Sequence, residues 1–241
     1  MSAGERPLGV VPGWVWGALL ACLAAQIAAQ ALRQAGAPAA GDLPPAPRAA
    51  TLRLASFGEP EAGARLTMLY VQSVDFAGGR ALPYRNLDYP RLVGWLRAVL
   101  ALDPRSDYPL FAASRVYAEV PDESRARIAL EFVHESFRGD PNRRWAALAH
   151  AAFLAKHRLH DLPLARRYAA EVARYATADH VPLWAKQMEI FILEDMNELE
   201  AAKIMIGGLL ESGALRDPQE ARFLAQRLKE LEARIARRNV K

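Results

Sequence analysis

His150, His157 and His160 are three of the chain's five histidines, and they fall within eleven residues of one another. Histidines three apart on a helix put two imidazoles on one face, which is the beginning of a zinc site. Completing it takes carboxylate or further histidine ligands at matching offsets, and neither HExxH nor a paired-ligand motif is present; His134-Glu135 lacks its second histidine. These histidines read as solvated or hydrogen-bonded side chains, and no metal or other cofactor is expected. Nucleophile motifs are missing as well: there is no GxSxG, no GxxxxGK[ST] and no GxGxxG. The single thiol, Cys22, sits in an apolar run. Glu194, Asp195, Glu198 and Glu200 form an acidic cluster, but carboxylates do acid–base work only in a desolvated cleft. Around a helix break such acids are expected to cap the next helix and complement its dipole. Gly207-Gly208 falls in a helical pattern, where close helix packing is the expected reason for glycine. A non-enzymatic protein is expected; the alternative is an enzyme or small-ligand domain whose pocket no motif marks.

Two charged groups remain as a candidate partner-binding surface. One is basic, with Arg143, Arg144, Lys156, His157, Arg158, Arg166 and Arg167; the other is acidic, with Glu194 and Asp195. Charges lining a groove select an oppositely charged peptide, whereas a solvated surface accounts for the same residues without a partner. The formal charge is +4 with both signs interspersed, which is not the balance of a nucleic-acid binder. The clearest basic excess lies between Arg216 and Lys241.

The most constraining stretch lies at the N-terminus. Between Arg6 and Arg33 no residue is charged, and Val10–Leu32 is apolar apart from two glutamines. As a helix it would reach roughly 35 Å, enough for a bilayer core of about 30 Å. Trp14 and Trp16 lie near one end, at headgroup level. Residues 10–32 are therefore expected to form one transmembrane anchor behind a short tail, 1–9. A cleavable signal ending at Ala29–Ala31 would have a shorter apolar core. Leu19–Cys22 is similar to a lipobox, although the chain stays apolar beyond it. Residues 33–55, with Pro44, Pro45 and Pro47, read as an extended spacer. Arginines on both sides of the anchor leave the orientation nearly balanced; the short tail and the spacer favour the inner membrane with the folded domain in the periplasm.

The domain over 56–241 must position whatever the charged groups do. Alanine and leucine outnumber valine and isoleucine, which favours helix. Helical patterns run at about 60–75, 89–102, 107–119, 122–138, 143–160, 162–176, 181–196, 198–212 and 217–238. Asp103-Pro104 and Asp140-Pro141 read as stops, Gly213 as a C-terminal stop, and Pro121-Asp122, Asp161 and Asn197-Glu198 as caps for the next helix. No segment alternates like a strand, so the domain is expected to be all-α. The signals recur with a period in the high thirties: Asp103-Pro104 returns as Asp140-Pro141, Asp161 as Asn197, Trp145 as Trp184. Such a period marks stacked helical hairpins.

Trp184, Gln187, Met188 and Phe191 followed by Ala201, Met205 and Gly208, and Trp145, Leu148, Ala149 and Ala152 followed by Ala165, Ala169 and Val172, resemble the tetratricopeptide repeat in degenerate form. The resemblance covers about two-thirds of the chain. It implies an α-α superhelix of about four hairpins plus a C-terminal helix, with Trp145 and Trp184 at least half buried, acting as a membrane-anchored scaffold or assembly factor for protein partners.

Overall fold

A computed structural model describes residues 12–35, 43–74, 84–212, 215 and 217–239, the side chains of 30–35, 85 and 239 excepted. Val10 and Val11 of the expected anchor, Gly213 and Lys241 lie outside the described residues. Among the described residues every regular element is helical. In chain order these are α1 (Gly13–Ala35), α2 (Ala49–Ala55), α3 (Pro60–Ser73), α4 (Tyr89–Leu102), α5 (Tyr108–Arg115), α6 (Glu123–Phe137), α7 (Pro141–His157), α8 (Leu162–Tyr175), α9 (Leu183–Asp195), α10 (Leu199–Glu211) and α11 (Pro218–Asn239).

Local chemistry explains where the helices start. The carboxylates of Asp88, Asp122, Asp140 and Asp161 accept the first free N–H groups of α4, α6, α7 and α8, at 2.9–3.2 Å. Proline occupies the first turn of α3, α4, α5, α7 and α8, where its missing N–H costs nothing. Asp140-Pro141 is thus both things: α6 has ended at Phe137 and Asp140 is out of the helical region, while Pro141, whose φ is already helical, starts α7. The ends of α7 and α9 share another device. His160 (φ 49°) and Asn197 (φ 61°) turn left-handed, and the following N–H groups return to Ala155 O (2.8 Å) and Leu193 O (2.9 Å). His160 therefore lies beyond α7, and Asn197 closes α9 instead of capping α10.

Neighbouring helices pack in sequence order from α2 to α11, most extensively across α7, α8 and α9. Leu148, Ala151, Ala152 and Ala155 of α7 meet Ala165, Tyr168, Ala169 and Val172 of α8, all buried. Alanines let the two backbones approach closely. A second core, smaller and aliphatic, joins Ile190 and Leu193 of α9 to α10 and to Leu224 and Leu231 of α11. Gly207 and Gly208 do not serve helix packing, since a Cβ at either would meet nothing within 4 Å.

Part of the segment read as spacer is packed. Leu43 is fully buried, its carbonyl accepts from Arg91 (3.1 Å), and Pro44 O accepts from Trp95 Nε1 (2.7 Å). Residues 49–55 then form α2, which packs on α3 and α4. In α1 every residue from Gly13 to Ala29 except Val15 is exposed. Among the described residues no helix is long and apolar enough to cross a membrane; the side chains of Gln30–Leu32, part of the expected anchor, lie outside them.

Candidate interaction surface

The charged residues singled out above are mostly committed to neighbouring helices. Arg158 bonds Glu119 (2.7 Å), Arg167 bonds Glu131 (2.7 Å), Arg166 meets Glu189 (3.2 Å), and Lys156 pairs with Asp195. Lys156 and Asp195 are thereby brought together across α7 and α9. Arg143 leans back on Asp140 (3.4 Å), while Arg144 is buried and donates to Ser136 O and to Pro104 O (2.8 Å). Those two carbonyls lie at and just past the C-terminal ends of α6 and α4, so the electronegative helix ends offset the guanidinium's charge. Gly139 makes room, since a Cβ there would come within 2.8 Å of Arg144 Nη1. Glu194 is buried, held by Arg227 (2.6 Å) and Arg234 (3.3 Å), and Glu200 pairs with Arg238. The acidic cluster therefore binds α7 and α11, and Glu198, at the N-cap of α10, makes no side-chain capping bond.

These bonds share a spacing. Arg97–Glu135, Arg127–Asp161, Arg138–Glu171, Arg158–Glu119, Arg167–Glu131 and Arg227–Glu194 join residues 33 to 39 apart. That separation is the period of the sequence signals, so the charges act as ties from one helical pair to the next. The densest tie surrounds His134, whose ring nitrogens face Glu131 (3.1 Å) and Glu171 (2.9 Å). Burial raises the Glu171 carboxyl, but hydrogen bonds from Arg138 and His134 outweigh it and hold the group below the usual carboxylate range. Glu131 is likewise held low against its burial by His134 and Arg167.

The open surface lies elsewhere. Phe111 on α5, Phe153 on α7, Trp184 on α9 and Phe223 on α11 are all exposed. A cleft of about 260 Å³ brings three of these helices together: Arg115 from α5, Trp145, His150 and Phe153 from α7, and Trp184 and Met188 from α9. A smaller hollow of about 160 Å³ continues past Arg115 to Phe111 and Arg143. Beyond Trp184 a shallower one of about 590 Å³ reaches Phe223. Trp145 and Trp184 meet edge to face, with centroids 5.6 Å apart. Trp145 is partly buried, but Trp184 is 55% exposed, short of the expected half burial, with Trp145 edge-on against it. Phe153 lies against His150 (5.9 Å) and His157 (4.5 Å).

The 260 Å³ cleft offers aromatic faces, the Arg115 guanidinium and the His150 imidazole. Burial, then the nearby Arg115, push His150 below its ordinary value, which favours the neutral ring. Its Nε2 is buried without a hydrogen-bond partner, and Glu119 Oε1 stands 4.0 Å away. Ser114, the hydroxyl in the wall of the smaller hollow, bonds back to Leu110 O (2.9 Å) within its own helix. Such a set suits contact with an apolar side chain beside a polar group. Among the described residues no group of histidine, cysteine and carboxylate side chains is placed to hold a metal. The sequence carried one signal of this surface: α7 and α9 are apolar on more than one side, so each had an apolar face left over after packing. No protein-family model matches the chain, and no curated protein or solved structure is significantly similar to it.

Proposed function

We propose that this chain is a membrane-tethered, non-enzymatic protein-interaction module, a scaffold or assembly factor built as a tetratricopeptide-like superhelix. Its odd-numbered helices line a groove for a protein partner. The observation that carries this reading is the cleft itself: exposed Phe111, Phe153, Trp184 and Phe223 stand on α5, α7, α9 and α11 with Arg115 open among them, while Arg158 and Arg167 are tied to Glu119 and Glu131. Aromatic residues beside arginine are the side chains that dominate protein–protein contact energies. The tether is α1. Its support is the uncharged stretch between Arg6 and Arg33 and the exposure of its apolar side chains, which a bilayer would cover; the span needs Gln30–Leu32 to complete it. The domain is placed in the periplasm.

A photo-crosslinking residue introduced at Phe153 or Trp184 of the full chain, with Arg174 on α8 as the control, tests the groove. One partner captured from both groove positions and not from 174 is the expected result; equal capture from all three would overturn the reading. Alkaline phosphatase fused after Lys241 tests the side, with activity expected and an inactive enzyme placing the domain in the cytoplasm.

A further inference from the structure

We infer that the N-terminal end of the helical array is itself a membrane-contact surface, in which Leu54, Phe57, Leu66 and Leu69 meet the headgroup region of the bilayer that α1 enters. The inference rests on the tether reading above. These four side chains are 80%, 94%, 66% and 60% exposed, on α2, the following turn and α3. Phe57 holds a left-handed φ of 48°, a conformation that costs a phenylalanine energy, to stand at the apex of that turn. An array of stacked helices needs polar outer faces at its two ends to stay in water. The C-terminal end meets that requirement, since the exposed residues of α11 include Gln226, Lys229, Glu230, Glu232 and Arg237. The N-terminal end meets it only in part, because these four large apolar side chains stand among its charges.

The bilayer is the occupant because the chain brings it there. Leu43 is fixed in the core and α1 ends at Ala35, so the connection between them can span at most about 28 Å. Within that reach the surface facing the membrane is the α2–α4 end, not α11. Arg48, Arg53 and Arg65 stand around the apolar residues, but so do Glu59 and Glu61. The mixture sets the depth: the apolar tips enter the interface while both kinds of charge stay at the headgroups.

Nitroxide labels on the full chain in phosphatidylcholine–phosphatidylglycerol nanodiscs test this. One label goes on native Cys22; the others go on Leu54→Cys and Lys229→Cys in a Cys22→Ala background. Collision rates with oxygen and with a water-soluble nickel chelate are compared. The expected result is an oxygen-to-nickel ratio at position 54 several-fold above that at 229, returned toward the 229 value by adding Phe57→Glu. A lipid-like ratio at Cys22 with equal ratios at 54 and 229 would overturn the inference and leave the tether standing. A water-like ratio at Cys22 would overturn both.

Discussion

The stretch from α4 to α8 and the α10–α11 pair are both stacked helices, yet they are held in different ways. The first shares one continuous core in which Tyr89, Phe132, Phe137 and Tyr168 are fully enclosed. The second has a separate aliphatic core, joined to α9 through Ile190 and Leu193, and is held to the same helix by Glu194, Arg227 and Arg234. Helix α9 is divided between them, since Ile192 faces the first core. The difference teaches that order along a helical array can be continuous while cohesion is not: the C-terminal pair is a unit attached to a larger one.

The largest expected effect tests the larger unit. Phe132→Ala leaves a cavity inside the continuous core and should cost about 3–5 kcal/mol. Hydrogen exchange should then quicken throughout α4–α8; quickening confined to α6 would show that the core is not one cooperative body. Glu194→Ala should cost about 2 kcal/mol through lost charge-assisted bonds, because the arginines left behind are partly exposed and rehydrate. Its exchange signature should be confined to α10 and α11, and a spread into α4–α8 would erase the distinction drawn here.

Acid acts on both units, since Glu200 of α10 is held low by Arg238 of α11, and the larger unit adds more such carboxyls. The carboxyls of Glu131 and Glu171 are held low in the folded state, so the unfolded chain takes up protons first as the pH falls. Their contribution is complete above the ordinary carboxylate value and is lost as the pH drops from there through the lowered values. Thermal melts should show α4–α8 weakening over that window, and Glu171→Gln should flatten the dependence; an unchanged slope would show that the His134 tie contributes nothing. The smallest effect is a gain. A Cβ at Gly207 meets open space, so Gly207→Ala should stabilise α10 by about 0.5–1 kcal/mol. A loss there would reveal a close neighbour at that position.

Much of the helical plan was legible because its signals are local. The α4 boundaries, 89–102, follow from Asp88 and Pro90 at one end and Asp103-Pro104 at the other. What escaped depends on register between distant segments. Leu43 enters the core from a proline-rich stretch without periodicity, fixed by main-chain carbonyls that accept from Arg91 and Trp95. His160 and Asn197 take left-handed turns that glycine more often makes at a helix end. The charged residues were visible as clusters, but their commitment was not. Whether Arg167 is free or tied to Glu131 depends on how α8 slides along α6, which composition does not encode. Trp184 shares a spacing with Trp145, but how far each is covered depends on packing that the spacing does not record.

The spacing of the ties has a mechanical consequence. The side-chain ties described above span at most 51 positions, and the helices pack chiefly on near neighbours in the chain. Force applied at the C-terminus against a fixed N-terminus would pass through each helical pair in series, and the pair with the smallest core would yield first. Peeling of α11, then α10, would lengthen the molecule while α4–α8 kept its shape, giving it a compliant end and a stiff one.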